Sequence, residues 1–68
     1  MKLSARNKLP GIIERIDVDG LTAKVMLRSG DNCLVAVITR ESVEDMELRV
    51  GDAVTAVIKS SSVMLAKE

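Results

Sequence analysis

The alternation of apolar and polar side chains predicts β-strands along most of the chain. It is clearest over residues 21–28, where every second residue is aliphatic, the period of a strand with one buried face. The residues expected to face inward are Leu21, Ala23, Val25 and Leu27. Asp19–Gly20 precedes this segment and residues 29–32 follow it, and both have the composition of tight turns. Hairpins are therefore predicted on both sides of this strand.

The segments before and after it predict two further strands. The first spans residues 12–18 and is introduced by Pro10–Gly11. Its expected inner face consists of Ile12, Glu14, Ile16 and Val18. The third is the continuous apolar run 33–38, which is typical of a strand covered on both faces. Cys33, at the start of this run, is predicted to be a small core residue rather than a reactive thiol.

A short helix is predicted after the third strand. Thr39 or Ser42 can provide its N-cap, and Ser42-Val43-Glu44-Asp45 has the serine-x-x-acid pattern of a capping box. Val43 and Met46 are three residues apart and share one helix face, and Leu48 continues toward the core. The acidic residues Glu41, Glu44 and Glu47 are expected to be solvated.

The last part of the chain predicts two strands separated by a polar insert. Ala53–Ile58 alternates, Lys59–Ser62 is polar, and Val63–Ala66 is again apolar. The predicted order is strand, strand, strand, helix, strand, strand. We therefore predict one all-β domain over residues 1–68, a five-stranded OB-like Greek-key barrel with one short helix between strands 3 and 4.

The composition predicts that the chain associates with copies of itself. A domain of about 60 residues buries only about 60% of the surface of its unfolded chain. Of the 68 residues, 47% are apolar, and none is aromatic. Because small domains commonly gain stability by oligomerisation, the excess apolar surface is expected between subunits. The alternative is a monomer with exposed aliphatic side chains.

Charge and residue usage exclude several classes of function. Ten basic residues balance ten acidic ones, so no overall field attracts nucleic acid or an anionic membrane. The chain has one cysteine and no histidine, which excludes a cysteine–histidine zinc site within one chain. No apolar run approaches the roughly 20 residues that span a bilayer. The N-terminus has no signal-peptide core, and a cytoplasmic protein without a membrane or nucleic-acid partner is expected.

Catalysis is not predicted either. No serine, threonine or cysteine has a recognisable base and orienting group, and the glycines make no phosphate-binding loop. OB-type barrels that bind single strands use aromatic side chains for stacking, which this chain lacks. We therefore predict a binding protein that is not an enzyme.

Two groups of hydrogen-bond donors remain, Ser4-Ala5-Arg6-Asn7 and Lys59-Ser60-Ser61-Ser62. Together they supply two cations, hydroxyls, an amide and backbone N–H groups. These donors suit a tetrahedral dianion, which only accepts hydrogen bonds, and they suit a metal cation poorly. The two groups lie at opposite ends of the chain, so only the fold or a neighbouring subunit can bring them together. The first group taken alone also has the character of a frayed basic terminus.

The same residues resemble those of the molbindin (Mop) family. The start of this chain, Ser4-Ala5-Arg6-Asn7-x-Leu9 with Gly11 following, is similar to the start of the family's sequences. The segment Ile38-Thr39-x-x-Ser42-Val43-Glu44 is similar to the family's junction between a strand and the helix. The family's late segment is similar to Val50-Gly51-Asp52-x-Val54-Thr55-Ala56-Val57-Ile58-Lys59-Ser60. Pro10 departs from the pattern, since a polar residue is more usual there. The resemblance covers essentially the whole chain.

The resemblance implies a small cytoplasmic protein that binds molybdate or tungstate without a covalent cofactor. It implies an OB-like barrel with N-terminal strand exchange between subunits, and a hexamer built as a trimer of dimers with oxyanions at the interfaces. It assigns the main oxyanion contacts to Ser4, Arg6, Lys59 and Ser60, with backbone contact from Ala5. Asn7 belongs to the motif and serves the ligand or the structure. Because no DNA-binding or ATPase domain accompanies the module, storage or homeostasis of the oxyanion is expected.

A second reading follows from the residues alone. An interaction or assembly module would use the same apolar surface to bind another protein, and the donors at the two ends would then serve solubility. A nucleic-acid-binding barrel is a third, weaker reading, because it would lack base stacking.

Overall fold

The computed structural model describes residues 6–68, which form an antiparallel sheet and one short helix. The strands are β1 (Asn7–Asp19), β2 (Thr22–Ser29), β3 (Asn32–Thr39) and β4 (Ala53–Ile58), the helix is α1 (Arg40–Asp45), and a 3₁₀ turn covers Ser60–Ser62. The all-β class and the helix between strands 3 and 4 agree with the prediction. No helix in this part of the chain has the length and apolar character to cross a membrane.

The sheet has the order β3-β2-β1-β4. Two tight turns join β1 to β2 and β2 to β3, and the glycines in them, Gly20 and Gly30, have φ of 62° and 61°. Such positive φ angles are readily adopted by glycine. The 13-residue β1 is long enough to pair with β4 through its first half and with β2 through its second. β1 is therefore the strand that connects the two ends of the sheet.

A β-bulge at Glu14 corrects the predicted facing of β1. Ile13 pairs with Leu27 and Arg15 with Met26, so Glu14 is an extra residue between two successive pairs. The extra residue shifts the alternation by one position. Ile13 is therefore buried on the inner face, whereas Ile12, predicted to face inward, is 47% exposed. Beyond the bulge Ile16 and Val18 are on the same face as Ile13, because they pair with inward-facing residues of β2.

The core lies on the concave face of β1 and β2. Its fully buried residues within 6–68 are Ile13, Ala23, Val25 and Leu27. The last three confirm the alternation predicted for this strand. Leu21 was also expected inward but is 86% exposed, because it lies in the β1–β2 turn, before β2 begins. Its carbonyl accepts a hydrogen bond from the Arg40 N–H at 2.9 Å, which ties this turn to the start of α1.

β3 is an edge strand in this chain and is not covered on both faces as predicted. Leu34, Ala36 and Ile38 are half-buried on the inner face. Val35 and Val37 are on the outer face and are 57% and 71% exposed. Cys33 is also exposed, since it pairs with Arg28 near the tip of the hairpin, and the prediction that it is a core residue is wrong.

Thr39 caps the helix, one of the two alternatives that the sequence allowed. Its hydroxyl oxygen accepts a hydrogen bond from the Ser42 N–H at 3.0 Å and donates to the Ser42 hydroxyl at 2.8 Å. Glu47, with φ of 51°, ends the helical region, and the Leu48 N–H then donates to the Val43 carbonyl at 3.0 Å. The half-buried Leu48 thereby lines the open end of the core.

The predicted fifth strand is not formed. After the 3₁₀ turn, residues 63–68 are exposed and outside the sheet, so the described part of the chain has four strands. The edges β3 and β4 therefore remain apart, with an apolar groove of about 490 Å³ between them. The predicted N-terminal exchange receives no support either, because β1 pairs with β2 and β4 of its own chain from Asn7 onward.

Candidate oxyanion-binding site

The β1–β4 ladder brings the two predicted donor groups to the same end of the sheet. Its last pair is Asn7 opposite Ile58. Arg6 directly precedes Asn7, and Lys59 directly follows Ile58. Because the strands are antiparallel, Arg6 and Lys59 leave the ladder side by side, although 52 residues separate them in the sequence. The topology therefore brings together, within a single chain, two groups that the sequence alone could not connect.

A side-chain hydrogen bond closes this end of the ladder. The Asn7 Nδ2 donates to the Ile58 carbonyl oxygen at 3.3 Å, in a partly buried position. The bond connects the residue after Arg6 to the residue before Lys59. Asn7, which the sequence placed in the binding motif, thus makes a structural contact that holds the two cation-bearing segments together.

The serines after β4 form a single tight turn. The Ser62 N–H donates to the Lys59 carbonyl at 2.9 Å, and the Val63 N–H to the Ser60 carbonyl at 3.4 Å. Lys59 itself is extended, with φ of −63° and ψ of 134°. The amides of Ser60 and Ser61 come before the first hydrogen bond of the turn, so the turn does not use them. Hydroxyls and amides are therefore concentrated beside the Lys59 ammonium.

The cations at this end differ in their surroundings from three arginines of the sheet and helix. Within residues 6–68, the arginines that form salt bridges are Arg15 with Asp17, Arg28 with Glu14, and Arg40 with Glu44. The hydrogen bond from Arg28 to Glu14, together with the charge of that carboxylate, raises the pKa of Arg28. Those three guanidinium groups are already occupied by carboxylates. Arg6 and Lys59 are exposed and belong to none of these pairs.

Four of the six predicted site residues lie in the described part of the chain. Arg6, Asn7, Lys59 and Ser60 lie together at the end of the β1–β4 ladder, whereas Ser4 and Ala5 lie outside the described residues. Sequence reasoning counted Lys8 among the N-terminal donors but did not assign it to the site; it is a further cation on β1 that is exposed and pairs with Val57. Lys8 can be assigned to the site only from its pairing with Val57 of β4, which sequence patterns do not show.

Other charged groups do not form a competing site. Around α1, the acidic residues Glu41, Glu44, Asp45 and Glu47 are exposed, and Glu44 is paired with Arg40. Across the described chain, no three histidine, cysteine or acidic side chains are arranged to hold a metal ion. Chemically, the ladder end supplies cations, hydroxyls and amides, which complement an anion with several acceptor oxygens.

Comparison with known proteins gives the family. The TOBE domain family model matches residues 3–65. Molybdenum-pterin-binding protein 1 of Clostridium pasteurianum is 39% identical over 66 residues, which are 96% of this chain and 97% of that protein. The molybdenum transport protein ModE of Azotobacter vinelandii is 46% identical over 69 residues, covering 100% of this chain but only 26% of ModE.

A solved structure extends the agreement to three dimensions. The molybdate-binding protein from Sporomusa ovata superimposes with a TM-score of 0.95 and 39% sequence identity, covering 98% of this chain and 100% of that one. The chain therefore belongs to the TOBE domain family and, within it, to the molbindin (Mop) proteins.

Proposed function

We propose that this protein binds molybdate or tungstate as an intact oxyanion at the end of the β1–β4 ladder. The observation that carries the proposal is the position of Arg6 and Lys59, each one residue beyond the last pair of the β1–β4 ladder, with the serine turn directly after Lys59. The Clostridium relative is named for molybdenum-pterin binding and the Sporomusa relative for molybdate binding, and both names point to the same class of ligand.

The chemistry of recognition is a set of charge-assisted hydrogen bonds. Arg6 and Lys59 neutralise the dianion, because a guanidinium and an ammonium offer only donors. The Ser4 and Ser60 hydroxyls and the Ala5 backbone orient its oxygens, and Asn7 fixes the strand ends. No side chain coordinates the metal atom, so binding is reversible and involves no covalent cofactor or catalysis.

The site is completed between subunits. The exposed aliphatic side chains far outnumber the four buried core residues, as expected if much of this surface is covered by other copies. We propose a homo-oligomer, a hexamer arranged as a trimer of dimers, with oxyanions at its interfaces. Such an assembly of a single domain over residues 1–68 would store or buffer the oxyanion inside the cell.

The fifth strand of the barrel is supplied by the C-terminal segment after assembly. Val63, Met64 and Leu65 are apolar, exposed and outside the sheet, and β3 and β4 present two unpaired edges on either side of an apolar groove. An added strand satisfies both edges and fills the groove. We therefore place the exchange between subunits at the C-terminal rather than the N-terminal segment.

Titration calorimetry with sodium molybdate tests the proposal. Arg6→Ala and Lys59→Ala should each weaken binding by about tenfold to a hundredfold, the range for losing one hydrogen bond to a charged group. The matched controls are Arg15→Ala, at the far half of β1, and Lys24→Ala, on the outer face of β2, which should bind as the wild type does. Unchanged affinity in both site variants would refute the proposed site.

A second function is favoured by the exposed apolar surface alone. Val35, Val37 and the groove between β3 and β4 would also suit an interaction module that binds a different protein. Light scattering on the purified protein separates the two. A stable monomer that shows no heat with molybdate or tungstate would support the interaction module.

A further inference from the structure

We infer that Lys8 supplies a third positive charge to the oxyanion site, an inference that rests on the proposed function. Lys8 is not among the residues to which the family resemblance assigns oxyanion contacts.

The burial of the β1–β4 ladder defines its two faces. On β4, Val54, Ala56 and Ile58 are half-buried and line the apolar groove, whereas Ala53, Thr55 and Val57 are exposed. Asn7 pairs with Ile58 and therefore lies on the inner face, and Lys8 pairs with Val57 on the outer face. Side chains alternate along a strand. Arg6 and Lys59, each one position beyond the last pair, consequently fall on the same outer face as Lys8.

Within residues 6–68, Lys8 belongs to none of the salt bridges. Residues 1–13 and 53–67 include no acidic side chain. Directly opposite Lys8 is the apolar Val57. Lys8, Arg6 and Lys59 therefore lie in two segments that contain cations and no acidic residue, and the protein, although neutral overall, has a local concentration of positive charge here.

Geometry sets the size of the effect. Same-face neighbours on a strand are about 7 Å apart at the backbone, and we take this spacing as the distance between the Lys8 ammonium and an anion held between Arg6 and Lys59. Through water, its attraction for a dianion at this distance strengthens binding about fivefold at an ionic strength of about 0.01 M and about twofold at about 0.15 M. Lys8 thus acts through its field rather than by direct contact, and its contribution decreases as salt is added.

The test is molybdate calorimetry at these two ionic strengths on the wild type, Lys8→Gln, Lys8→Arg and Lys24→Gln. Lys24 is a matched control because it is an exposed lysine on the outer face of the sheet, opposite Val37 and Asp17. We expect Lys8→Gln to lose about fivefold at low salt and about twofold at higher salt. Lys8→Arg should restore the wild-type affinity, and Lys24→Gln should not change it. A melting temperature within about 2 °C of the wild type would exclude a folding defect as the cause.

The outcomes separate this inference from the proposed function. If Lys8→Gln binds like the wild type at both salt concentrations while Arg6→Ala binds weakly, the role of Lys8 is wrong and the site stands. An equal loss at both salt concentrations would also overturn the field effect. If the wild type itself does not bind molybdate, the proposed function fails and the inference fails with it.

Discussion

The bulge at Glu14 makes a sharp prediction about two adjacent isoleucines. Ile13 is 1% exposed on the inner face, and Ile12 is 47% exposed on the outer one. Truncating a buried isoleucine to alanine costs about 2–5 kcal/mol, through lost transfer free energy and the cavity left behind. Ile13 lines the open groove, so the neighbouring side chains can relax, and we expect about 3 kcal/mol for Ile13→Ala. Ile12→Ala removes only partly buried surface and should cost about 1 kcal/mol or less.

Thermal unfolding followed by circular dichroism measures this difference. In a domain of this size, 1 kcal/mol corresponds to about 4–8 °C in Tm, so Ile13→Ala should melt about 12–24 °C below the wild type and Ile12→Ala within about 8 °C. The milder Ile13→Val, expected to cost about 1 kcal/mol, keeps the comparison measurable if Ile13→Ala fails to fold. All variants are compared at one protein concentration, because Tm depends on concentration in any protein that self-associates. Equal losses at the two positions, or a larger loss at Ile12, would refute the assigned facing of β1.

Three further predictions concern the strand, the ladder end and the C-terminal segment. Gly11→Ala should lower stability by about 1–2 kcal/mol, because the added Cβ would lie 2.8 Å from the Arg28 carbonyl oxygen, and urea unfolding measures the loss; an unchanged midpoint would contradict it. Asn7→Ala should weaken molybdate binding about threefold to tenfold in calorimetry by removing the bond that closes the ladder; an affinity equal to that of the wild type would show that the bond has no role in binding. Met64→Glu and Leu65→Glu should each reduce the particle mass seen by light scattering, because a charge cannot enter an apolar groove; an unchanged mass would leave the segment in solvent.

Local pattern predicted the strands and the helix well, because period-two alternation and the Thr39 cap depend on neighbouring residues only. It failed at the bulge, where pairing with β2 lets Ile13 and Ile16 share a face, and the alternation of β1 alone does not show this. A bulge is defined by the pairing of two strands, so the sequence of one strand alone does not predict it.

The end of the chain shows a different limit. Val63–Ala66 has the composition of a strand, but a strand needs a hydrogen-bonding partner, and in the described chain this segment has none. Likewise, the run 33–38 is apolar on both faces, yet one chain covers only its inner side. In both places the sequence is suited to a covered environment that the described part of this chain does not itself provide.

At the site, residue types predict the chemistry, whereas the position of these residues next to one another depends on the fold. Cations and hydroxyls identified an oxyanion as the ligand class, but only the register of Asn7 with Ile58 brings Arg6 and Lys59 together. The same register revealed Lys8, which has no distinguishing motif. Ser4 and Ala5 stay predictions.

The central claim is that Arg6 and Lys59 act on one and the same anion. A double-mutant cycle of molybdate affinities on the wild type, Arg6→Ala, Lys59→Ala and the combined variant tests it most directly. Because removing either cation weakens the hold of the other on a shared ligand, the combined loss should fall short of the sum of the single losses by at least about 0.5 kcal/mol. Strictly additive losses, or a variant pair that leaves the affinity unchanged, would mean that the two cations do not share a ligand.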